Sequence, residues 1–250
     1  MSFTQSLRKD AALMFDAIYR HAFIQGISQG RLSRESLIHY VRQDTLYLNT
    51  YSKAYAYALT KSHTQDQMRL FYQRIGVSLE GEVIPHRNLC QVAGVDLEEV
   101  TKSPSKMAPT THHYARHVLS VAQQGTLGET VAVVLPCHWI YVDLCKRITT
   151  ENLITIDHPF YEWITFYSSD TMVAGLTELT TLLDDLAESA GELDRYLMKS
   201  AFLDSCRLEY QFFDMAVTLE QWVTDPSLGP SDANRDNDPN LARKGGNAGV

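Results

Sequence analysis

Three residues of the chain could carry nucleophilic chemistry. Cys137 lies in the segment Leu135-Pro136-Cys137-His138-Trp139-Ile140-Tyr141, and two carboxylates, Asp44 and Glu209, each fall on an otherwise aromatic or apolar helix face. A thiolate can attack an electron-poor centre, and a buried carboxylic acid can move protons. These residue types therefore indicate nucleophilic chemistry on a polar ring.

Asp44 interrupts a stripe of tyrosines on one helix face. Its companions at offsets of three and four are Tyr40, Tyr47, Tyr51 and Tyr55. One interpretation is a carboxylate that binds the amine or ring-nitrogen donors of a flat ligand stacked on tyrosine. The alternative is an aromatic core in which Asp44 bonds to a buried hydroxyl or to the neighbourhood of Arg42.

Glu209 lies on an apolar face of the last long helix. The residues that share this face or flank it are Phe202, Cys206, Phe212, Phe213 and Ala216. Burial without a cation raises the pKa of a carboxylic acid, which suits a general acid and base near neutral pH. The alternative is a structural ion pair between Glu209 and Arg207 or Arg195.

Cys137 shares a helix face with Tyr141 and directly follows Pro136, which removes a backbone hydrogen bond and tends to kink a helix. The kink and the amphipathic neighbours His138 and Trp139 indicate a wall that opens to a cavity. The alternative is an inert, small core residue. Reactivity would require the thiolate, which positive charge or a proton acceptor favours.

Histidine spacing gives two candidate metal pairs. His113 and His117, near His112, are four residues apart, and His86 follows Glu82 at the same spacing. A helical pair without further ligands at a recognisable spacing is usually a solvated or capping cluster, and the likeness to di-iron bundles is loose. We therefore expect neither a metal nor a cofactor.

The elements that position these residues are helices, because apolar residues recur every three or four positions and no segment alternates with the period of a strand. The predicted helices are Ser2 to about Ala22, Ser33 (as N-cap) to about Lys61, Thr64 to Ala93, a short one after Asp96, Pro109 to Gln124, Gly128 to Thr149, Pro159 to Tyr167, Thr171 to Ala190 and Glu192 to Thr224. The fold class is all-α, a helical bundle.

Composition limits the partners and the compartment. The chain has 250 residues, 44% of them hydrophobic, a formal net charge of -8 and a pI of about 5.6, so we expect one domain over 1–224 and no nucleic-acid partner. Its four cysteines lack disulfide or zinc spacing, and no stretch is typical of a signal peptide or membrane span. We expect a cytoplasmic protein without a membrane partner, with residues 225–250 disordered.

Several segments together carry a resemblance to a known family. In chain order they are Phe23-Ile24-Gln25-Gly26-Ile27 with Gly30, Tyr40-Val41-Arg42-Gln43-Asp44 with Tyr47-Leu48, Pro109-Thr110 leading to Tyr114, Leu135-Pro136-Cys137-His138-Trp139-Ile140-Tyr141, His158-Pro159 with Tyr161, Trp163 and Tyr167, and Glu209-Tyr210-Gln211-Phe212-Phe213-Asp214-Met215-Ala216. In this order and spacing, the chain resembles the thiaminase II (TenA) family, cysteine-containing branch, from the first helix to about Trp222.

The resemblance implies a haem-oxygenase-like helical bundle without haem, usually a homotetramer. It implies a thiamin-salvage enzyme that hydrolyses aminomethyl aminopyrimidine, or thiamin itself, to hydroxymethyl aminopyrimidine. By the same resemblance Cys137 is the nucleophile that adds to the pyrimidine ring. Glu209 moves protons on and off the ring and the leaving group, and Asp44 holds the ring's exocyclic amine and nitrogen. The aromatic residues that it implies for the substrate pocket are Tyr47, Tyr114, Tyr141, Tyr167 and Phe212.

Two local departures from the family pattern bear on substrate preference. His138 stands where a tyrosine is frequent, and His112 lies in a segment where an aromatic residue is expected. Two rival functions are a non-catalytic pyrimidine-binding or regulatory protein, and an enzyme of the same fold that acts on another ring substrate. The absence of a basic recognition helix weighs against the regulator. Cys137, Asp44 and Glu209 together disfavour the second rival.

Overall fold

Helices make up all the regular structure of residues 1–103 and 105–223, the part of the chain that the computed structural model describes. They are α1 (Phe3–Asp10), α2 (Ala12–Tyr19), α3 (Ala22–Ser28), α4 (Arg34–Thr60), α5 (Gln65–Gly76), a π-helical turn (Val77–Gly81), α6 (Val83–Ala93), α7 (Leu97–Lys102), α8 (Pro109–Gln124), α9 (Leu127–Glu151), α10 (Tyr161–Ser168), α11 (Asp170–Ser189) and α12 (Glu192–Thr218). The all-α prediction is confirmed.

The helix boundaries follow local capping chemistry. The Ser33 hydroxyl accepts a hydrogen bond from the Ser36 backbone N–H at the start of α4, as the sequence predicts. Pro109 occupies the first turn of α8, where its missing N–H is not needed. Gly94 ends α6 with a φ of 66°, a left-handed conformation that glycine adopts without strain.

The prediction of one helix from Ser2 to Ala22 is wrong, because this segment forms α1, α2 and the start of α3. His21 is extended, and its side chain accepts a hydrogen bond from the Phe23 N–H at 3.1 Å, so it caps α3 rather than continuing α2. Neither break contains glycine or proline. The capping role of a histidine gave no signal of its own in the sequence.

Two further helix predictions need correction. The helix predicted from Thr64 to Ala93 is divided by the π-helical turn, which places Glu82 at the junction with α6. The last helix ends at Thr218 instead of Thr224, because Leu219 adopts a φ of 55° and leaves the helical path. Residue 224 itself lies outside the described residues.

Helix α9 forms the centre of the bundle and packs against α8, α10, α11 and α12, while α4 packs against α5, α6, α8, α9 and α12. Among the described helices, α9 alone is long and apolar enough to cross a membrane by length and composition. However, 78% of its most apolar window is buried inside the bundle, which favours the position of a core helix.

Neighbouring helices support α9 around Pro136. The Ser205 hydroxyl donates to the Val133 carbonyl at 2.8 Å, and the Tyr51 hydroxyl donates to the Val134 carbonyl at 2.9 Å. Hydroxyl groups from α12 and α4 thus bond to backbone carbonyls in the turn that leads to Cys137. The proline and the nucleophile candidate are therefore held between the two helices that carry Glu209 and Asp44.

Residues Met1–Glu220 form one compact unit. A second unit, Gln221–Val250, is described over its first three residues, which have no regular secondary structure. The predicted disorder of 225–250 lies outside the described residues.

Candidate active site

A partly enclosed cavity lies between α4, α5, the π-helical turn, α9, α10 and α11. The residues that line it are Asp44, Leu48, Tyr51, Tyr55, Arg74, Val77, Ser78, Glu82, Cys137, His138, Tyr141, Tyr167 and Met172. Four of the eight site residues that the resemblance implies are among them: Asp44, Cys137, Tyr141 and Tyr167. The other four, Tyr47, Tyr114, Glu209 and Phe212, form a cluster beside Cys137 that we call the inner cluster.

Asp44 is buried, and its partner is a histidine. The His86 Nε2 lies 2.7 Å from Asp44 Oδ2, so neither a hydroxyl nor the Arg42 region is the partner that the alternative reading of the sequence suggested. Burial lowers the pKa of His86, but the hydrogen bond and negative charge of Asp44 outweigh it, and the net shift is upward. The raised pKa favours the protonated form of His86, which donates to Asp44.

Glu209 is almost completely buried, and its environment differs from that of Asp44. Its Oε1 accepts a hydrogen bond from the Tyr114 hydroxyl at 2.7 Å. Burial raises the pKa of Glu209 to about 8, and the charge of Asp44 adds to that shift. The Tyr114 and Cys137 side chains act in the opposite direction and only partly offset it.

The ion pairs that the sequence offered as an alternative for Glu209 do not form. Arg207 pairs with Asp204 one turn earlier on α12. Arg195 donates to the backbone carbonyls of Ala187 and Glu188. Among the described residues Glu209 thus has no cationic partner, which is the condition under which a buried carboxylic acid remains available for proton transfer near neutral pH.

Cys137 is partly accessible at the cavity wall. Burial of the sulfur raises the pKa of the Cys137 thiol, and the negative charges of Glu209, Asp44 and Glu82 raise it further. A proton acceptor is therefore needed to form the thiolate. Glu209, whose pKa the Cys137 side chain lowers, is close enough to serve as that acceptor.

The aromatic residues that the resemblance assigns to the pocket are all buried. Tyr47 stacks on Tyr114 with ring centroids 4.6 Å apart, and Phe212 lies 5.8 Å from Tyr47. In the cavity wall, Tyr141 and Tyr167 are 4.8 Å apart. Aromatic rings thus lie both in the cavity wall and in the inner cluster near Cys137, which suits a planar heterocycle.

Two site residues, Glu82 and His86, were considered in the sequence only as a metal pair. The Tyr167 hydroxyl donates to Glu82 Oε2 at 2.5 Å, while His86 contacts Asp44. Burial raises the pKa of Glu82 to about 7, with a further contribution from the charge of Asp44. Their spacing of four residues was the available signal, since it places an acid and a histidine on one helix face.

Arg74 is a further cavity residue that the sequence did not reveal. Its Nε and Nη1 are buried without a hydrogen-bond partner among the described residues, and its Nη2 lies 3.6 Å from Glu178. Gly175 provides the space for this side chain, because a Cβ atom there would overlap the guanidinium. A buried cation from α5 thus lies in the cavity wall and packs against Gly175 of α11.

Two further histidines, His138 and His117, have backbone partners. The His138 Nε2 contacts the Met172 carbonyl at 2.7 Å, and burial lowers the pKa of His138 to about 4. The His117 Nε2 lies 3.5 Å from the Ala201 carbonyl. In residues 1–103 and 105–223, no group of three or more histidine, cysteine, aspartate and glutamate side chains is placed to hold a metal ion.

Comparisons with known proteins agree on one family. A family model described as TENA/THI-4/PQQC matches residues 8–219. An aminopyrimidine aminohydrolase from Staphylococcus aureus (strain USA300) is 32% identical over 223 residues, which cover 89% of this chain and 96% of that protein.

Solved structures show the same fold. A TenA homologue from P. horikoshii OT3 matches with a TM-score of 0.75 and 22% identity, over 87% of this chain and 99% of that one. A TenA family transcription regulator from Silicibacter sp. TM1040 has the same TM-score and 27% identity, over 86% and 96%. A domain of unknown function with a heme oxygenase-like fold from Shewanella denitrificans OS217 gives 0.67 and 15%, over 86% and 92%. The predicted haem-oxygenase-like bundle is confirmed.

Proposed function

This chain belongs to the TENA/THI-4/PQQC family, and on that basis we propose that it is an aminopyrimidine aminohydrolase of the thiaminase II type. The observation that carries the proposal is the convergence of Cys137, Asp44 and Glu209 on one aromatic site. In this order they would serve as the nucleophile, the anion that binds the substrate ring and the group that carries protons. The proposed substrates are aminomethyl aminopyrimidine and thiamin, and the pyrimidine product in both cases is hydroxymethyl aminopyrimidine.

Asp44 is the proposed anchor for the aminopyrimidine ring. Its Oδ2 contacts His86, which leaves Oδ1 to accept a hydrogen bond from the exocyclic amine or a protonated ring nitrogen of the substrate. A hydrogen bond to a charged acceptor contributes roughly 1.5–3 kcal/mol, more than one between neutral groups. The stacked pair Tyr47 and Tyr114, together with Tyr141, Tyr167 and Phe212, would enclose the faces of the ring.

Cys137 is the proposed nucleophile, with Glu209 as its proton acceptor. Because burial and nearby carboxylates raise the pKa of the thiol, its deprotonation has to accompany attack on the ring. Addition of sulfur to the ring pushes electron density toward the methylene carbon and so weakens its bond to the leaving group. Glu209, with a pKa raised to about 8, can accept a proton and return it within one catalytic cycle.

The test is a direct assay with purified protein. The protein is incubated separately with aminomethyl aminopyrimidine and with thiamin, and hydroxymethyl aminopyrimidine is quantified by chromatography. We expect product from the wild-type protein and a rate at least about 10³-fold lower from Cys137→Ser, since removal of a nucleophile eliminates its covalent step. The matched control is Cys145→Ser, a buried cysteine on the same helix that does not line the cavity.

Absence of product from both substrates would contradict the proposed hydrolase. It would favour one of the two rivals, a pyrimidine-binding or regulatory protein or an enzyme for another ring substrate. Titration calorimetry with hydroxymethyl aminopyrimidine would distinguish these rivals, because a pyrimidine-binding protein should release heat on binding.

Four further properties belong to the same proposal. The enzyme would act in thiamin salvage, in the cytoplasm, as a homotetramer, with residues 1–224 as one helical domain. The free state of Cys90, Cys137, Cys145 and Cys206 supports a reducing compartment. Light scattering coupled to size-exclusion chromatography tests the assembly, for which a mass near four times the chain mass of 28.3 kDa is expected.

A further inference from the structure

A second carboxylic acid, Glu82, lies in the wall of the cavity that contains Asp44 and Cys137. It follows the π-helical turn Val77–Gly81, an element that is rare and often found at functional sites. Its Oε2 accepts a hydrogen bond from Tyr167 at 2.5 Å. Glu209, by contrast, does not line the cavity and is only 1% exposed. Glu82 therefore borders the substrate space directly, whereas Glu209 lies in the inner cluster and acts on Cys137.

The groups around Glu82 make it suitable for releasing and recovering a proton. Burial raises the pKa of Glu82 to about 7 and the charge of Asp44 adds to the shift, while Tyr167 and His86 lower the pKa. Both protonation states are therefore populated near neutral pH. A group in this condition is an efficient general acid and base.

We propose that the site contains two acids with separate tasks, in which Glu82 protonates the leaving amine and Glu209 exchanges protons with Cys137 and the ring. The inference rests on the proposed function and refines it. Asp44 is the other carboxylate that lines the cavity, but its Oδ2 already contacts His86. Glu82 contacts the neutral Tyr167 instead of a histidine, and Asp44 already has the task of binding the ring, so Glu82 is the cavity-wall carboxylate left for the leaving amine.

The proton and electron balance of this step is simple. When sulfur has added to the ring, the bond between the methylene carbon and the amine nitrogen breaks and its electron pair stays on nitrogen. Glu82 gives that nitrogen a proton, ammonia leaves, and Glu82 becomes a carboxylate. Water then forms a bond to the methylene carbon and gives a proton to Glu82, while the carbon–sulfur bond breaks and the ring is restored. The net reaction consumes one water and releases one ammonia.

Thiamin provides a contrast that isolates this proton. Its thiazolium nitrogen already carries a positive charge, so it leaves as neutral thiazole and takes up no proton. A primary amine is a poor leaving group until it is protonated. Loss of the leaving-group acid should therefore affect the amine substrate far more than thiamin, whereas loss of the acid that serves Cys137 and the ring should affect both.

The experiment measures kcat and KM of Glu82→Gln and Glu209→Gln on both substrates. For Glu82→Gln we expect kcat to fall roughly 10²-fold or more with aminomethyl aminopyrimidine and less than about 5-fold with thiamin. Glu209→Gln should slow both substrates alike. The matched control is Glu80→Gln, an exposed acid two residues earlier, which should leave both rates unchanged. Glu82→Asp keeps the carboxyl group and should restore part of the selective loss.

An equal loss on both substrates with Glu82→Gln, or no loss on the amine, would overturn the division of tasks. If Glu82→Gln does not fold, Glu82→Asp and Tyr167→Phe are used in its place. Each perturbs the same acid and should slow the amine substrate selectively. Equal slowing of both substrates by these two variants would also overturn it. Wild-type protein that is inactive on both compounds would overturn the proposed function itself, a result distinct from either of these.

Discussion

The cavity wall and the inner cluster hold their carboxylates in opposite ways. Asp44, in the cavity wall, contacts a histidine whose pKa is raised, so its negative charge has a positive partner. Glu209, in the inner cluster, accepts a hydrogen bond from the neutral Tyr114, and burial raises its pKa to about 8. One site can therefore contain both an anion for binding and an acid for proton transfer.

Glu82 combines features of both regions. It lines the cavity as Asp44 does, yet its hydrogen-bond donor is a tyrosine, as for Glu209. Its partner therefore supplies no full positive charge, and burial raises its pKa to about 7. The partner, rather than the position in the cavity, decides whether a carboxylate here binds as an anion or carries a proton.

The largest expected effect comes from removing the acid of the inner cluster. Glu209→Gln keeps the size and the acceptor for Tyr114 but cannot exchange protons, so kcat should fall about 10²- to 10⁴-fold with KM nearly unchanged. Steady-state kinetics with aminomethyl aminopyrimidine measures this. A variant that changes KM and leaves kcat intact would place Glu209 with the binding groups and remove the contrast with Asp44.

Removing the anion of the cavity wall should have a smaller effect, and on binding instead. Asp44→Asn loses a charge-assisted bond to the ring, so we expect KM to rise about 10- to 100-fold with a modest change in kcat. The melting temperature should also fall, because His86 is left buried without its carboxylate. Asp143→Asn is the control: this aspartate pairs with Arg8 in a partly exposed position away from the cavity.

Much of this contrast could be predicted from local spacing. The faces of α4 and α12 that carry Asp44 and Glu209 follow from offsets of three and four, and both carboxylates are buried as those faces predict. The cap at Ser33 depends on neighbouring residues and was also predicted correctly. Local geometry is fixed by a few adjacent side chains, so the sequence displays it.

The partners of the acids could not be predicted, because helix packing chooses them. His86 is 42 positions from Asp44, and Tyr114 is 95 positions from Glu209. The spacing of Glu82 and His86 was visible, but it predicts only a shared face. Gly76 directly precedes the π-helical turn that leads to Glu82, but its φ and ψ are helical, so it marks no break in the helix. Whether each acid meets a cation or a hydroxyl therefore required the tertiary structure.

The contrast between the two acids also predicts how stability depends on pH. The folded protein raises the pKa of Glu209 from the ordinary 4.5 to about 8, so it binds more protons than the unfolded chain between these values. The contribution of Glu209 to stability is thus present below about pH 4.5 and decreases as the pH rises toward 8. Between pH 5 and 7 the wild type should lose roughly 2 kcal/mol relative to Glu209→Gln.

Denaturant unfolding of both proteins at several pH values measures this difference. Glu209→Gln should be the more stable protein at pH 7, which together with its low kcat would show that the acid is retained for chemistry at the expense of stability. Glu80→Gln, an exposed substitution, should follow the wild-type curve. Parallel pH curves for wild type and Glu209→Gln would mean that the folded protein does not raise the pKa of Glu209.

The smallest expected effect concerns the cation in the cavity wall. A Cβ atom at position 175 would overlap the Arg74 guanidinium, whereas one at Gly76, also helical, would meet nothing within 4 Å. Alanine favours a helix over glycine by roughly 1 kcal/mol, and overpacking costs about 1–3 kcal/mol. Gly76→Ala should therefore raise the free energy of unfolding by up to about 1 kcal/mol, and Gly175→Ala should lower it by about as much.

The kinetics of Gly175→Ala test the separation of the two regions. Because a displaced Arg74 disturbs the cavity wall and not the inner cluster, this variant should change KM more than kcat. A larger change in kcat than in KM would mean that the two regions are not separable.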